Sequence, residues 1–306
     1  MNHQNRHAVI AAGLALSLAV SGVARAAEGD EWSAQQALFA YDKATPLGVV
    51  EKGLTKREGA SVRDVAFDAL TGRDVAAYIV TPEGKGPFAA VLWVHWLGEP
   101  ETTNRTQFLN EAVGLASKGV VSALVDAMWA APDWFSKRIL EEDYAHSIRQ
   151  VIALRRAMDL LLAQPNVDPT RVGIVGHDYG GMYSMMMAGV DRRAKACVYV
   201  AVVPSLNDWA FLGPQPKSKA EYLRQNALLE LTDYLRQNQK AATSLQFGAQ
   251  DIYVSRVDAA IIANAAGTKN RKFYETDHAM SLPGIAADRE AFLLKELAPG
   301  PARKDR

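Results

Sequence analysis

From Ala89 onward the chain repeats one pattern: a short, unbroken apolar run followed by a segment long enough for a helix. The runs fall at 89–94, 120–125, 172–175, 196–203, 244–247 and 272–274. Runs this short that lack polar alternation suit parallel strands covered on both faces. The segments between them, at 105–117, 141–163, 182–188, 221–239, 257–265 and 286–297, have helical length and spacing. In 141–163, Tyr144, Ile148, Val151, Ile152, Leu154, Met158 and Leu161 recur at helical intervals, with Arg149, Arg155 and Arg156 interleaved. Pro165 closes that helix and Asp168-Pro169 makes a turn before the next strand. Strand–helix alternation of this length predicts an α/β fold, a doubly wound and mostly parallel sheet. Upstream, the alternation of Val65-Ala66-Phe67 and of the run Val75-Ala76-Ala77-Tyr78-Ile79-Val80 about Thr71-Gly72-Arg73 predicts an antiparallel hairpin. One domain is expected over 61–298, after a lead-in at 27–60 that holds a helical fragment at 34–41.

The start of the chain reads as an address. Arg6 and His7 precede an apolar stretch from Ala8 to Val20, and Ala24-Arg25-Ala26 gives a small-x-small cleavage pattern. Residues 1–26 are therefore expected to be a Sec signal peptide cut near Ala26. The mature protein is expected to be periplasmic or secreted, without stable membrane association. With 34 basic and 34 acidic side chains the net charge is zero, and no basic stripe points to nucleic acid. The single cysteine, Cys197, cannot form an internal disulfide and sits in an apolar run, which makes it a small core residue. No metal or nucleotide motif is present, so no cofactor is expected. The oligomeric state is not legible.

The chemistry gathers where strands end. Val172-Gly173-Ile174-Val175 runs into Gly176-His177-Asp178-Tyr179-Gly180-Gly181 and then a helix. A strand–tight turn–helix with glycines around a central reactive residue is a nucleophile elbow, and the central residue here is Asp178. Downstream, Leu245-Gln246-Phe247-Gly248-Ala249-Gln250-Asp251 ends a strand in an acid. Phe273-Tyr274-Glu275-Thr276-Asp277-His278 ends another in a histidine. The order nucleophile, acid, histidine is that of the α/β-hydrolase series. Asp178, Asp251 and His278 are thus the candidate catalytic residues. Asp277 is a rival acid handicapped by adjacency to His278. At the end of the first buried run, Trp93-Val94-His95-Trp96-Leu97-Gly98-Glu99 stands where an oxyanion-hole amide is expected. Trp96 is the favoured donor and Leu97 the alternative, with the amide of Tyr179 as the second donor. His95 is expected to be structural.

On these strings the chain from about Val62 to Leu297 resembles the dienelactone hydrolase family and its acetyl-xylan-esterase-like relatives. The segments Val94-His95-Trp96-Leu97-Gly98, Arg155-Arg156-Ala157-Met158-Asp159-Leu160, the run from Val167 to Gly173, and His278-Ala279-Met280 carry the likeness. It implies an α/β-hydrolase fold acting on a small-molecule ester or lactone. Dienelactone hydrolases have cysteine at the position of Asp178, and their esterase relatives have serine. The elbow string itself resembles epoxide hydrolases and haloalkane dehalogenases, which use aspartate under a large helical cap, and no such cap is expected here.

An aspartate needs no base to attack, because a carboxylic acid is ionised at neutral pH, and a following helix N-terminus favours its charge. Attack on an acyl carbon would give an anhydride. Attack on a saturated carbon gives an alkyl ester, which His278, oriented by Asp251, could hydrolyse with water. Three readings stay open: Asp178 as covalent nucleophile on a C–O or C–halogen bond, Asp178 as general base in an esterase or lactonase, and a non-catalytic binding relative. Epoxide opening would need an acid, for which Tyr222 and Tyr234 are the candidates. Halide release would need a donor such as Trp96 or Trp129. Trp129, Trp134 and Phe135, just after a strand, could line a pocket; Trp129, Trp134 and Trp209 are the candidate pocket residues, and 204–243 is a possible small lid.

Overall fold

The structure, a computed structural model, describes residues 32–98 and 104–298; the expected signal peptide at 1–26 and the residues to 31, the segment 99–103 and the polar tail lie outside the described residues. Of the described residues, 32–40 belong to a unit of their own, in which 32–37 are helical. Everything that follows concerns the second unit, from Tyr41 onward.

Nine strands build one sheet: β1 (Val50–Arg57), β2 (Ala60–Asp68), β3 (Asp74–Pro82), β4 (Phe88–Val94), β5 (Val120–Val125), β6 (Val167–His177), β7 (Ala196–Val200), β8 (Ala242–Gly248) and β9 (Arg271–Tyr274). Their spatial order is β1-β2-β3-β5-β4-β6-β7-β8-β9. The first three strands pair antiparallel, β3 joins β5 antiparallel, and the pairs from β5 through β9 are parallel. The expected hairpin is β2–β3, in register from Ala60↔Pro82 to Asp68↔Asp74. Every apolar run contains a strand, the run 196–203 being strand only as far as Val200, and β4 and β5 are buried along their whole length, as parallel strands between two helix layers must be.

The helices are α1 (Leu109–Ala116), α2 (Trp134–Lys137), α3 (Asp143–Leu162), α4 (Tyr179–Val190), α5 (Asn207–Ala210), α6 (Lys219–Asn226), α7 (Leu231–Gln237), α8 (Arg256–Ala265) and α9 (Pro283–Leu297). One apolar cluster joins Phe108, Ala112 and Leu115 at α1, Leu293 and Leu297 of α9, and Val91, Trp93, Val175 and Val198 of the central strands. No described helix is long and apolar enough to cross a membrane.

Two readings of the sequence need correction. The sheet starts inside the lead-in, because 50–57 is strand β1; all eight of its residues are exposed, so it carries no apolar alternation to reveal it. The stretch 204–243 divides in two. Its second half, α7, is a crossover helix packed on α4, where Tyr234 leaves room for no more than Gly189. Only the first half, with α5 and the loop after it, reaches the cleft described below.

Candidate active site

The parallel strands place the reactive residues at one end of the sheet. β6 feeds the turn at Asp178, and α4 starts at the next residue. Asp178 has φ 57° and ψ −125°, a conformation that costs a non-glycine residue about 1–3 kcal/mol. Two things hold it there. Its N–H donates to the carbonyl of Val200 at 2.9 Å. The glycines around it permit contacts no side chain would allow: a Cβ at Gly176 would overlap the backbone of Gly180, and one at Gly180 would overlap the carbonyls of Val94 and His95. The sharp turn drives the Asp178 side chain out over the sheet end.

Each carboxylate oxygen of Asp178 has its own partner. Oδ2 accepts the N–H of Leu97 at 2.8 Å. Oδ1 lies 3.4 Å from Nε2 of His278. On the far side of the ring, Nδ1 of His278 is 2.7 Å from Oδ2 of Asp251; a carboxylate only accepts, so Nδ1 carries hydrogen. Asp251 is steadied in turn, its Oδ1 accepting the N–H groups of Tyr253 at 2.8 Å and Val254 at 3.1 Å. Burial would lower the affinity of His278 for a proton, but Asp178 and Asp251 outweigh it and raise its pKa to about 9. At neutral pH the resting site is therefore an imidazolium between two acids.

A cleft of about 710 Å³ opens over this group, and its walls include Trp96, Leu97, Phe135, Tyr179, Trp209 and Tyr253. The Trp209 ring meets His278 edge-on at 5.5 Å, and Tyr253 does so at 5.2 Å. Behind the triad runs a chain of hydrogen bonds whose directions follow from chemistry. The carbonyl of His278 can only accept, so His177 donates to it from Nε2 at 2.9 Å. His177 Nδ1 must then accept, from Gln107 Nε2 at 2.7 Å. The remaining atom of that amide, Oε1, accepts the N–H of Trp96 at 2.9 Å. Burial lowers the pKa of His177 well below the usual range, in keeping with a neutral ring.

The model of the acetyl xylan esterase (AXE1) family matches residues 36–260, a span that contains Asp178 and Asp251 and stops before His278. The chain belongs to that family. It is a hydrolase of the α/β-hydrolase fold, and the family matched is the esterase branch of the resemblance rather than dienelactone hydrolase itself. Solved structures agree on the fold. Acetyl Xylan Esterase 1 from Thermoanaerobacterium sp. superposes with a TM-score of 0.70 at 14% identity, over 88% of this chain and 93% of that one. The acetyl xylan esterase from Paenibacillus sp. R4 gives 0.69 at 20% identity, over 87% and 93%. 2,6-Dihydroxy-pseudo-oxynicotine hydrolase gives 0.59 at 19%, over 80% and 71%.

In this family member, Asp178, Asp251 and His278 converge as their order in the chain suggested. Asp277 borders the cleft, but its Oδ1 accepts the N–H of Ala279, and Asp251 holds the ring. Between the two candidate amides the geometry selects Leu97: the Trp96 N–H is spent on Gln107, which turns it away from Asp178. The amide of Tyr179 opens α4, where it has no carbonyl four residues back within the helix. His95 is structural, bridging the N–H of Ala127 and the carbonyl of Trp96.

Of the three expected pocket tryptophans only Trp209 borders the cleft. Trp129 is a core residue with its indole N–H given to the carbonyl of His95, and Trp134 lines a separate groove with Arg73, Asp126 and His146. Both rings back the wall that Tyr179 presents to the cleft. The indole N–H of Trp96 is buried and has no partner among the described residues. Tyr222 and Tyr234 do not line the cleft, their hydroxyls donating to Asp143 and to the carbonyl of Leu228. Cys197 is a buried, unpaired thiol. Sequence reasoning missed Gln107 and Tyr253, which lie in loops without a motif, whereas Phe135, read from the sequence as able to line a pocket, does border the cleft. His177 was legible only as the unspecified residue of the elbow.

Proposed function

We propose that this hydrolase acts through a covalent ester on Asp178, formed by attack on a saturated carbon of a small, largely apolar substrate. The observation that carries the reading is the division of labour between the two carboxylate oxygens. Oδ2 already fills the place beside the Leu97 amide where the carbonyl oxygen of an ester substrate would have to lie. That arrangement suits an enzyme in which the oxyanion develops on Asp178 itself, when water attacks its alkyl ester. Oδ1 stays at the cleft side to form the bond.

The protonation of His278 fits the same sequence of events. Between two carboxylates the ring holds a proton and cannot act as a base. Once Asp178 is an ester its charge is gone, the ring gives up its extra proton, and neutral His278 can draw a proton from water. The base is thereby created by the first step and used in the second. The aromatic walls formed by Trp96, Trp209, Tyr253 and Phe135 favour an apolar substrate body. The signal reading of residues 1–26 puts this enzyme in the periplasm or outside the cell.

Ester hydrolysis with Asp178 as general base is the second reading. It is favoured by the family match and by two structural neighbours named as acetyl xylan esterases. Single-turnover reaction in heavy-oxygen water separates the two. Label in the Asp178 peptide is expected for the covalent route, and label in product alone would sink it.

A further inference from the structure

On the covalent route an alkoxide leaving group must receive a proton on the side of the carbon opposite the attacking Oδ1, whereas the Nε2 proton of His278 faces Oδ1 and the hydroxyls of Tyr222 and Tyr234 are committed elsewhere. We propose that Tyr179, the neighbour of Asp178, is the proton donor to an oxygen leaving group, its phenol held and polarised by the buried guanidinium of Arg138. This rests on the Asp178 reading and deepens it, since it names the substrate class as a carbon–oxygen electrophile such as a strained cyclic ether.

Four observations support the assignment. Tyr179 borders the cleft together with Asp178 and His278. Its phenol oxygen accepts from Nη1 of Arg138 at 3.1 Å. A guanidinium has donors only, so this bond uses a lone pair and leaves the phenol hydrogen without an acceptor among the described residues. Finally, Arg138 is built into the wall. Its side chain is 4% exposed, Nη2 donates to the carbonyl of Ala210 at 2.5 Å, and its guanidinium lies 4.6 Å from the Phe135 ring and 5.4 Å from that of Trp134. A cation fixed against the phenol oxygen stabilises the phenolate that proton transfer creates. Burial raises the pKa of Tyr179, with Arg138 opposing and the Asp178 charge adding to the rise. The donor therefore keeps its proton at rest, and loses one of the reasons to hold it as Asp178 turns into an ester.

The step balances. Asp178 Oδ1 forms a bond to carbon, the substrate C–O bond breaks, its electron pair goes to oxygen, and that oxygen takes the phenol proton. The extra proton of His278 passes to solvent as Asp178 becomes an ester and is regained from solvent when the carboxylate is restored; in the second half the neutral ring takes a proton from water and hydroxide adds to the Asp178 carbonyl carbon. The ester C–O bond then breaks, and His278 returns the proton to the departing oxygen. The acid formed at Asp178 loses its proton to the phenolate by way of solvent, and one water has been consumed. A halide leaving group needs no such proton, which provides the test.

In full-length protein carrying His278→Gln, adduct formation on the Asp178 peptide is followed with styrene oxide and with (2-bromoethyl)benzene, with and without Tyr179→Phe. Tyr179→Phe is expected to lower the styrene oxide rate, relative to the bromide rate, by about 100-fold or more. A rate ratio unchanged by the substitution overturns the role of Tyr179 and leaves the Asp178 reading standing. No adduct from either reagent in the His278→Gln protein overturns the Asp178 reading and this proposal with it. Because the ratio is measured within one protein, a loss of folded fraction cancels. Should Tyr179→Phe be insoluble, 3-fluorotyrosine replaces tyrosine throughout: the alkaline limb of the styrene oxide profile must move to lower pH, and an unmoved limb overturns the proposal.

Discussion

Asp178→Asn neutralises one of the two acids flanking His278 while keeping nearly the same shape, and so copies the charge state of the ester intermediate. The structure sets the size of the effect. His278 rises from 6.5 to about 9 despite burial. At about 1.4 kcal/mol per unit, the two carboxylates together exceed the burial penalty by about 3 kcal/mol. A unit charge 3.4 Å away contributes about 5 kcal/mol at an effective dielectric constant of about 20. Loss of the Asp178 charge therefore removes the whole surplus, and His278 in Asp178→Asn should titrate at least about two units lower, near neutral pH or below. Ring-carbon NMR on histidine-labelled protein reads this directly. The stability profile should change with it. A group whose pKa is raised on folding stabilises the fold below its unfolded pKa and loses that contribution as pH rises through the folded value. The parent protein should thus lose about 3 kcal/mol between about pH 6.5 and about pH 9 to 10 from this group, and Asp178→Asn much less, by calorimetry. A His278 that still titrates near 9 in the variant would refute the claim that Asp178 holds its proton, and with it the idea that ester formation switches the base on.

Three further outcomes are expected. Asp178→Ser should create hydrolysis of simple aryl esters, since a hydroxyl leaves the Leu97 amide free for a substrate carbonyl; a variant inert on p-nitrophenyl acetate would count against an esterase frame around the elbow. Gln107→Leu strands the N–H of Trp96 and Nδ1 of His177, and should cost about 1–3 kcal/mol in urea unfolding along with a fall in kcat; an unchanged midpoint and rate would show that the chain behind the triad is idle. Gly180→Ala forces a methyl group against two backbone carbonyls that cannot retreat, so it should destabilise by at least about 3 kcal/mol, checked by the same denaturation.

Much of this molecule was legible because its strands are buried on both faces. A strand with no polar side must be written in continuous apolar letters, so β4 through β7 announced themselves. The elbow was legible for a related reason: Gly176, Gly180 and Gly181 stand where backbones touch, and only the absence of a side chain permits that. β1 could not be seen, because an edge strand with all its residues exposed has no face to encode. The lid stretch was half misread. A helix such as α7 that packs on α4 and a loop that overhangs a cleft can share aromatic composition, and composition does not say what an aromatic ring faces.

From the residues alone came the layered sheet, the bend that presents Asp178, and the order in which Asp251 and His278 follow at the ends of later strands. All of these are local properties of strands and turns. Which amide faces Asp178, which tryptophans border the cleft, and which cation meets the Tyr179 phenol were decided only by the folded chain. Each depends on a partner far along the sequence: Leu97 on Asp178, Gln107 on His177, Arg138 on Tyr179. A hydrogen bond has one direction and admits few partners, and nothing in the spacing of residues says who will arrive to take it.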